Sequence, residues 1–97
     1  MTTVKVGAVP FMVENAPIVD GDKNILGQTD HIACTITLKD CLSAELRKQT
    51  MLHELVHAWL VMISELDLSE NEQFVSSLAM AMYESVEVKE TPLQDKA

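Results

Sequence analysis

Apolar positions recur along the chain first with the period of strands and then with that of helices. Val4, Val6 and the run Phe11 to Val13 lie on either side of Pro10, which predicts two strands or an extended hairpin. Asn15 to Asn24 collects Pro17, Gly21 and several Asn and Asp, the composition of a connecting loop. Ile32, Cys34, Ile36 and Leu38 then alternate with Ala33, Thr35 and Thr37, as in a strand with one buried side. The preceding Ile25 to Asp30 is expected to pair with it through a turn near Thr29 to His31. After that the period changes. Asp40 and Ser43 offer N-caps for a helix from Ala44 to about Ile63, with Glu45 at the positive end of its dipole. Ser64 to Leu68 connects it to a second helix running to about Val88, which Ser69 and Glu72 open with capping-box spacing. Its stripe of Phe74, Val75, Leu78, Ala79, Met82 and Val86 is read as the face packed on the first helix. Residues 1–90 then form one domain, and Thr91 to Ala97 a tail.

Within the first helix, Met51 to Ile63 reads MLHELVHAWLVMI, and only His53, Glu54 and His57 interrupt the apolar run. At 3.6 residues per turn, positions 53 and 57 fall on one face about one turn apart, so both imidazoles can reach a single ion. The pattern is HExxH. It puts two metal ligands on one face and a carboxylate beside the first of them, able to take a proton from a metal-activated water. With three His in 97 residues, a chance match is expected in roughly 0.01 of such chains. The competing account is a pair of core histidines satisfied by backbone or water. Around the helix, Leu46 and Thr50 share the histidine face, whereas Leu52, Leu55, Trp59 and Met62 lie opposite. Both faces need cover, so the expected fold is α+β: a small N-terminal antiparallel sheet on one side and the second helix of a hairpin on the other.

A zinc site needs a third protein ligand. No histidine follows at the HExxHxxGxxH spacing, because positions 60 and 63 are Leu and Ile. A carboxylate must serve. If the two helices form a hairpin centred near Leu66, His57 lies level with about Val75, and Glu72 is displaced by roughly 4.5 Å along the axis, within side-chain reach. Glu70 would be offset by about 7.5 Å and points away, and Glu84 by about 13 Å in the other direction. The capping box is the competing role for Glu72. An electrophilic donor for a tetrahedral intermediate is sought in His31, near the polar end of the strand pair, rather than in Tyr83, roughly 16 Å from Glu72 along the second helix.

Composition narrows the partners. A net charge of −8 with only seven Lys and Arg argues against a nucleic-acid surface. Aromatic residues make up only 4% of the chain, so aliphatics, six Met and Trp59 must fill the core. Cys34 and Cys41 have neither zinc-ribbon spacing nor the numbers of a disulfide framework, and are read as reduced thiols. The first residues show no apolar signal segment and no run is long enough to span a membrane, so the expected compartment is cytoplasmic.

Together, LGQTD at Leu26 to Asp30, the ITL strand, HELVH at His53 to His57 and NEQFVSSLA at Asn71 to Ala79 resemble the gluzincin metallopeptidases, in particular small ImmA/IrrE-like and phage-encoded members. The resemblance implies a minimal zincin-like fold, zinc held by His53, His57 and Glu72, catalysis through Glu54, and an edge strand that aligns a peptide or protein substrate. A different class of function stands beside it: a non-catalytic interaction module in which metal staples a small core.

Overall fold

The computed structural model describes residues 1–93 of the chain. Five strands form one mixed sheet in the order β3-β4-β2-β1-β5, with β1 at Thr2–Val6, β2 at Val9–Ala16, β3 at Gly27–Asp30, β4 at Thr35–Lys39 and β5 at Thr91–Pro92. Three helices follow β4: α1 at Ala44–Met62, α2 at Leu66–Glu70 and α3 at Glu72–Met82. The fold is therefore a small α+β fold. Among the described residues no helix is long and apolar enough to cross a membrane.

β1 and β2 are joined by the two-residue turn Gly7-Ala8, where Gly7 has φ of 61° at the first central position, a conformation that Gly adopts without strain. The sheet departs from the antiparallel expectation at its centre. β2 pairs with β4 in parallel, Val13 opposite Ile36 and Asn15 opposite Leu38, while β3 folds back antiparallel on the outer side of β4. Residues 17–26 make the crossover possible: Val19, 1% exposed, pins the loop to the body, and an isolated bridge between Val19 and Asp22 folds it on itself. The alternation expected from Ile32 fails for a local reason. The Asp30 carboxylate accepts from the backbone N–H groups of Ile32 and Ala33 at 3.0 and 2.9 Å, which starts a turn over His31–Cys34 and leaves Ile32 98% exposed. Only Ile36 and Leu38 of that alternating set are fully buried, and truncating either to Ala should cost about 2–5 kcal/mol.

α1 lies between the sheet and α3, and its faces can be read at about 100° per residue. Met51, Leu55 and Ala58 form one stripe and join Val4, Val6, Phe11, Val13, Ile36 and Leu38 of the sheet. Leu52, Val56 and Leu60 form the next stripe and join Val75 and Ala79 of α3. His53 and His57 follow around the barrel of the helix, and Glu54 comes last, returning toward the sheet. Ser43 caps α1 through its hydroxyl, which accepts from the Leu46 N–H at 3.2 Å.

The second expected helix is divided. Asn71 is extended (φ −86°, ψ 95°), separates α2 from α3, and caps α3 by accepting from the Phe74 N–H at 3.0 Å. Ser69 sits inside α2, where its N–H donates to the Glu65 carbonyl, so no capping box forms and Glu72 is released from that role. α3 stops at Met82 rather than near Val88, where a tighter turn takes over with Ser85 and Val86 both donating to the Met82 carbonyl. Residues 86–90 carry no regular structure and run back to the sheet, where Thr91–Pro92, expected in the tail, pair with β1 as β5. The rest of that tail, residues 94–97, lies outside the described residues.

The return segment is clamped at Glu90. Arg47 donates both guanidinium nitrogens to its carboxylate at 2.6 and 2.9 Å, and the Thr2 hydroxyl donates to the same group at 2.6 Å. These donors, Arg47 foremost, hold the Glu90 carboxyl below its usual pKa against the opposing effect of burial, and the same hydrogen bond raises that of Arg47.

Candidate metal centre

His53, Glu54 and His57 come from one face of α1, Glu72 from the first turn of α3, and Thr29 and His31 from β3 and the turn after it. The helical period of α1 places both imidazoles toward α3, and the cap at Asn71 starts α3 so that Glu72 meets them. Glu72 Oε2 lies 3.0 Å from His53 Nε2, Glu72 Oε1 lies 3.0 Å from His57 Nε2, and the two Nε2 atoms are 3.2 Å apart. One ligand-capable atom from each of the three residues falls within 4.8 Å of the others, so the group could hold a metal ion.

Donor chemistry fits that use. The Ser69 hydroxyl lies 3.2 Å from the His57 carbonyl and 3.4 Å from His57 Nδ1. When the Ser69 proton goes to the carbonyl, Ser69 Oγ can accept from His57 Nδ1–H. In that tautomer a neutral ring presents Nε2 as a bare lone pair to a carboxylate oxygen and to the other imidazole. Either a ring N–H donated to Glu72 or a metal cation can join atoms brought this close. A tetrahedral ion with bonds of about 2.0–2.1 Å wants donors roughly 3.3 Å apart, close to the 3.2 Å between the two Nε2 atoms. His53 Nδ1 has a similar neighbour in Ser76 Oγ at 3.4 Å. A hydrogen bond at the second nitrogen is one means by which a protein orients ligand histidines.

Beside this trio opens a cleft of about 450 Å³, lined by Ile25, Gly27, Gln28, Thr29, His31 and Glu54 together with the two histidines and Glu72. All five site residues expected from sequence border it. Glu54 is 7% exposed, and its Oε1 accepts a hydrogen bond from the Thr29 hydroxyl at 2.8 Å. Glu72 is the exposed member, with 68% of its side chain open to solvent. Tyr83 lies elsewhere, in a neighbouring groove with Gln49, Ser76 and Met80 whose wall includes His53. Glu70 ends α2 and Glu84 lies beyond the end of α3, both exposed.

Ser69, Ser76, Gly27 and Thr29 were not assigned site roles by sequence. Ser69 was read as a cap, and the signal that could have redirected it is its place on the segment that must run level with His57. Gly27 tolerates no side chain: a Cβ there would sit 2.6 Å from Thr50 Cγ2 and 3.3 Å from Glu54 Cγ. Its absence lets β3 press against α1 beside Glu54.

No family model matches the chain, and no curated protein or solved structure matches it significantly.

Proposed function

We propose that this protein is a zinc-dependent peptidase of the gluzincin type, a minimal zincin-like fold in which His53, His57 and Glu72 hold the ion and Glu54 is the general base. The observation that carries the reading is the convergence of His53 Nε2, His57 Nε2 and the Glu72 carboxylate beside Glu54 in one cleft. A zinc ion in that group would supply a Lewis acid for a carbonyl oxygen and make a water acidic near neutral pH. Glu54, adjacent to the first ligand and lining the same cleft, takes the proton of the attacking water and passes it to the departing amine. His31, at the cleft's rim, serves as a donor to the oxygen on which charge develops.

The substrate lies along β3. Lys39 N–H donates to the Leu26 carbonyl, so residues 26 and 39 form a hydrogen-bonded pair of the β3-β4 ladder, and by alternation so do Gln28 with Thr37 and Asp30 with Thr35. The backbone groups of Gly27 and Thr29 therefore face the open edge of the sheet. An extended peptide adds there as a further strand, its main chain bonded at these two residues beside the cleft.

One observation favours a second reading, a metal-stapled interaction module without catalysis: the Glu54 carboxylate is almost wholly buried and already bonded to Thr29. The Glu54→Gln variant separates the two. On the peptidase reading it keeps one zinc per chain and the fold, and loses about 10²- to 10⁴-fold in hydrolysis of a peptide drawn from a diverse library. Equal cleavage by both proteins rejects Glu54 as the base, and zinc binding with no cleavage of any peptide by the wild type establishes the module instead.

A further inference from the structure

Glu54 has one side-chain partner among the described residues, and that partner stands on the strand that borders the cleft. Thr29 Oγ1 is 2.8 Å from Glu54 Oε1 and 3.2 Å from the Glu54 carbonyl. The hydroxyl has a single proton, and the shorter contact to the carboxylate takes it, since the carbonyl stands in the interior of α1, where the helix ladder supplies its donor. The approach that permits this bond is built in two residues earlier, where Gly27 leaves no room for a Cβ against Thr50 and Glu54. Being β-branched, Thr29 is also stiff about χ1, so its hydroxyl is held in place by the strand itself.

We propose that Thr29 is a positioning residue for the base: its hydroxyl holds Glu54 Oε1 and so leaves Oε2 to receive the proton of the attacking water. This rests on the peptidase reading above and adds a link that reading lacks. The backbone of Thr29 lies on the open edge of β3 while its side chain grips Glu54, so one residue sets both where the peptide lies and where the base points. A bond kept only for packing would need no such coincidence.

Thr29→Val and Thr29→Ser test the assignment, because the first removes the donor at nearly constant shape and the second keeps it. With zinc-loaded protein and a library-derived peptide, Thr29→Val should lower kcat by about 10- to 100-fold with KM and zinc affinity within about twofold, and Thr29→Ser should recover at least about a third of the wild-type kcat. Crystals of the metal-free variants supply a readout that does not depend on turnover. The Glu54 carboxylate should leave its place in Thr29→Val and keep it in Thr29→Ser. The proposal is overturned if Thr29→Val retains kcat within about twofold, if its loss falls on KM alone, or if Glu54 stays where it was without the hydroxyl. A wild-type protein that binds zinc but cuts nothing defeats the peptidase reading by itself, and the crystals then decide whether Thr29 holds Glu54.

Discussion

Glu90 and Glu72 both tie α1 to a later part of the chain, yet one is closed upon its partners and the other is not. Glu90 receives two guanidinium nitrogens and a hydroxyl, every partner a donor, and its charge is matched by Arg47. Glu72 faces two imidazole nitrogens, and the other nitrogen of His57 lies against the Ser69 hydroxyl. The first arrangement is complete as a structural clamp. The second is a group that could hold a metal ion. Two carboxylates in one small fold thus differ in their partners: one is held by fixed donors, the other faces two rings that can either donate or accept.

The largest expected effect breaks the comparison at Glu72. Glu72→Gln should weaken zinc binding by at least about 100-fold in competition with a chelator, more than the loss of a supporting contact does, whereas Glu90→Gln and Glu70→Gln should leave it unchanged. If Glu70→Gln weakens binding and Glu72→Gln does not, the third ligand is misassigned. Metal should in turn stabilise the fold, by about 4 kcal/mol at a free zinc concentration 1,000 times Kd. Melting with and without chelator reads this directly: the chelator lowers Tm for the wild type and for Glu90→Gln, and leaves Glu72→Gln nearly unmoved.

A smaller effect probes the tautomer. Ser69→Ala frees His57 Nδ1 from its acceptor and should cost about tenfold in zinc affinity. An unchanged titration would mean that Ser69 does not select the ligand form of the ring. The smallest effect belongs to the clamp. With side chains 36% and 21% exposed, the Arg47–Glu90 pair is screened by solvent, and Glu90→Gln should cost about 1 kcal/mol at neutral pH. Because the folded-state pKa of Glu90 is lowered from 4.5, its contribution is fully present above that value and is lost as pH falls through the folded one. Denaturant melts of wild type and variant should therefore differ by a constant amount above about pH 5.5 and converge in acid.

What could be read from sequence followed the range of the interactions. His53, Glu54 and His57 lie within two turns of one helix, and the period alone brings the two histidines to one face with Glu54 on its flank. Glu72 lies 19 residues from His53, and a short helical connection was enough to bring it within reach, although Asn71 rather than Ser69 caps the second long helix. The parallel pairing of β2 with β4 left no local mark, because the crossover passes through a loop and through β3 before the partner strand begins. Ile32 looked like strand because alternation carries no information about a carboxylate two residues before it that captures the backbone. The Arg47–Glu90 clamp spans 43 residues, and nothing in either neighbourhood announces the other.

The two margins of the sheet also differ in how they meet other chains. β5 is two residues long and ends in Pro92, which has no N–H to donate, so that margin offers little to a neighbouring strand. β3 is open but only four residues long, and turns away at His31. An extended segment laid against it finds two residues' worth of outward backbone groups before the ladder runs out. On the proposed reading those two residues hold the peptide, and an edge this short is a poor template for a growing fibril.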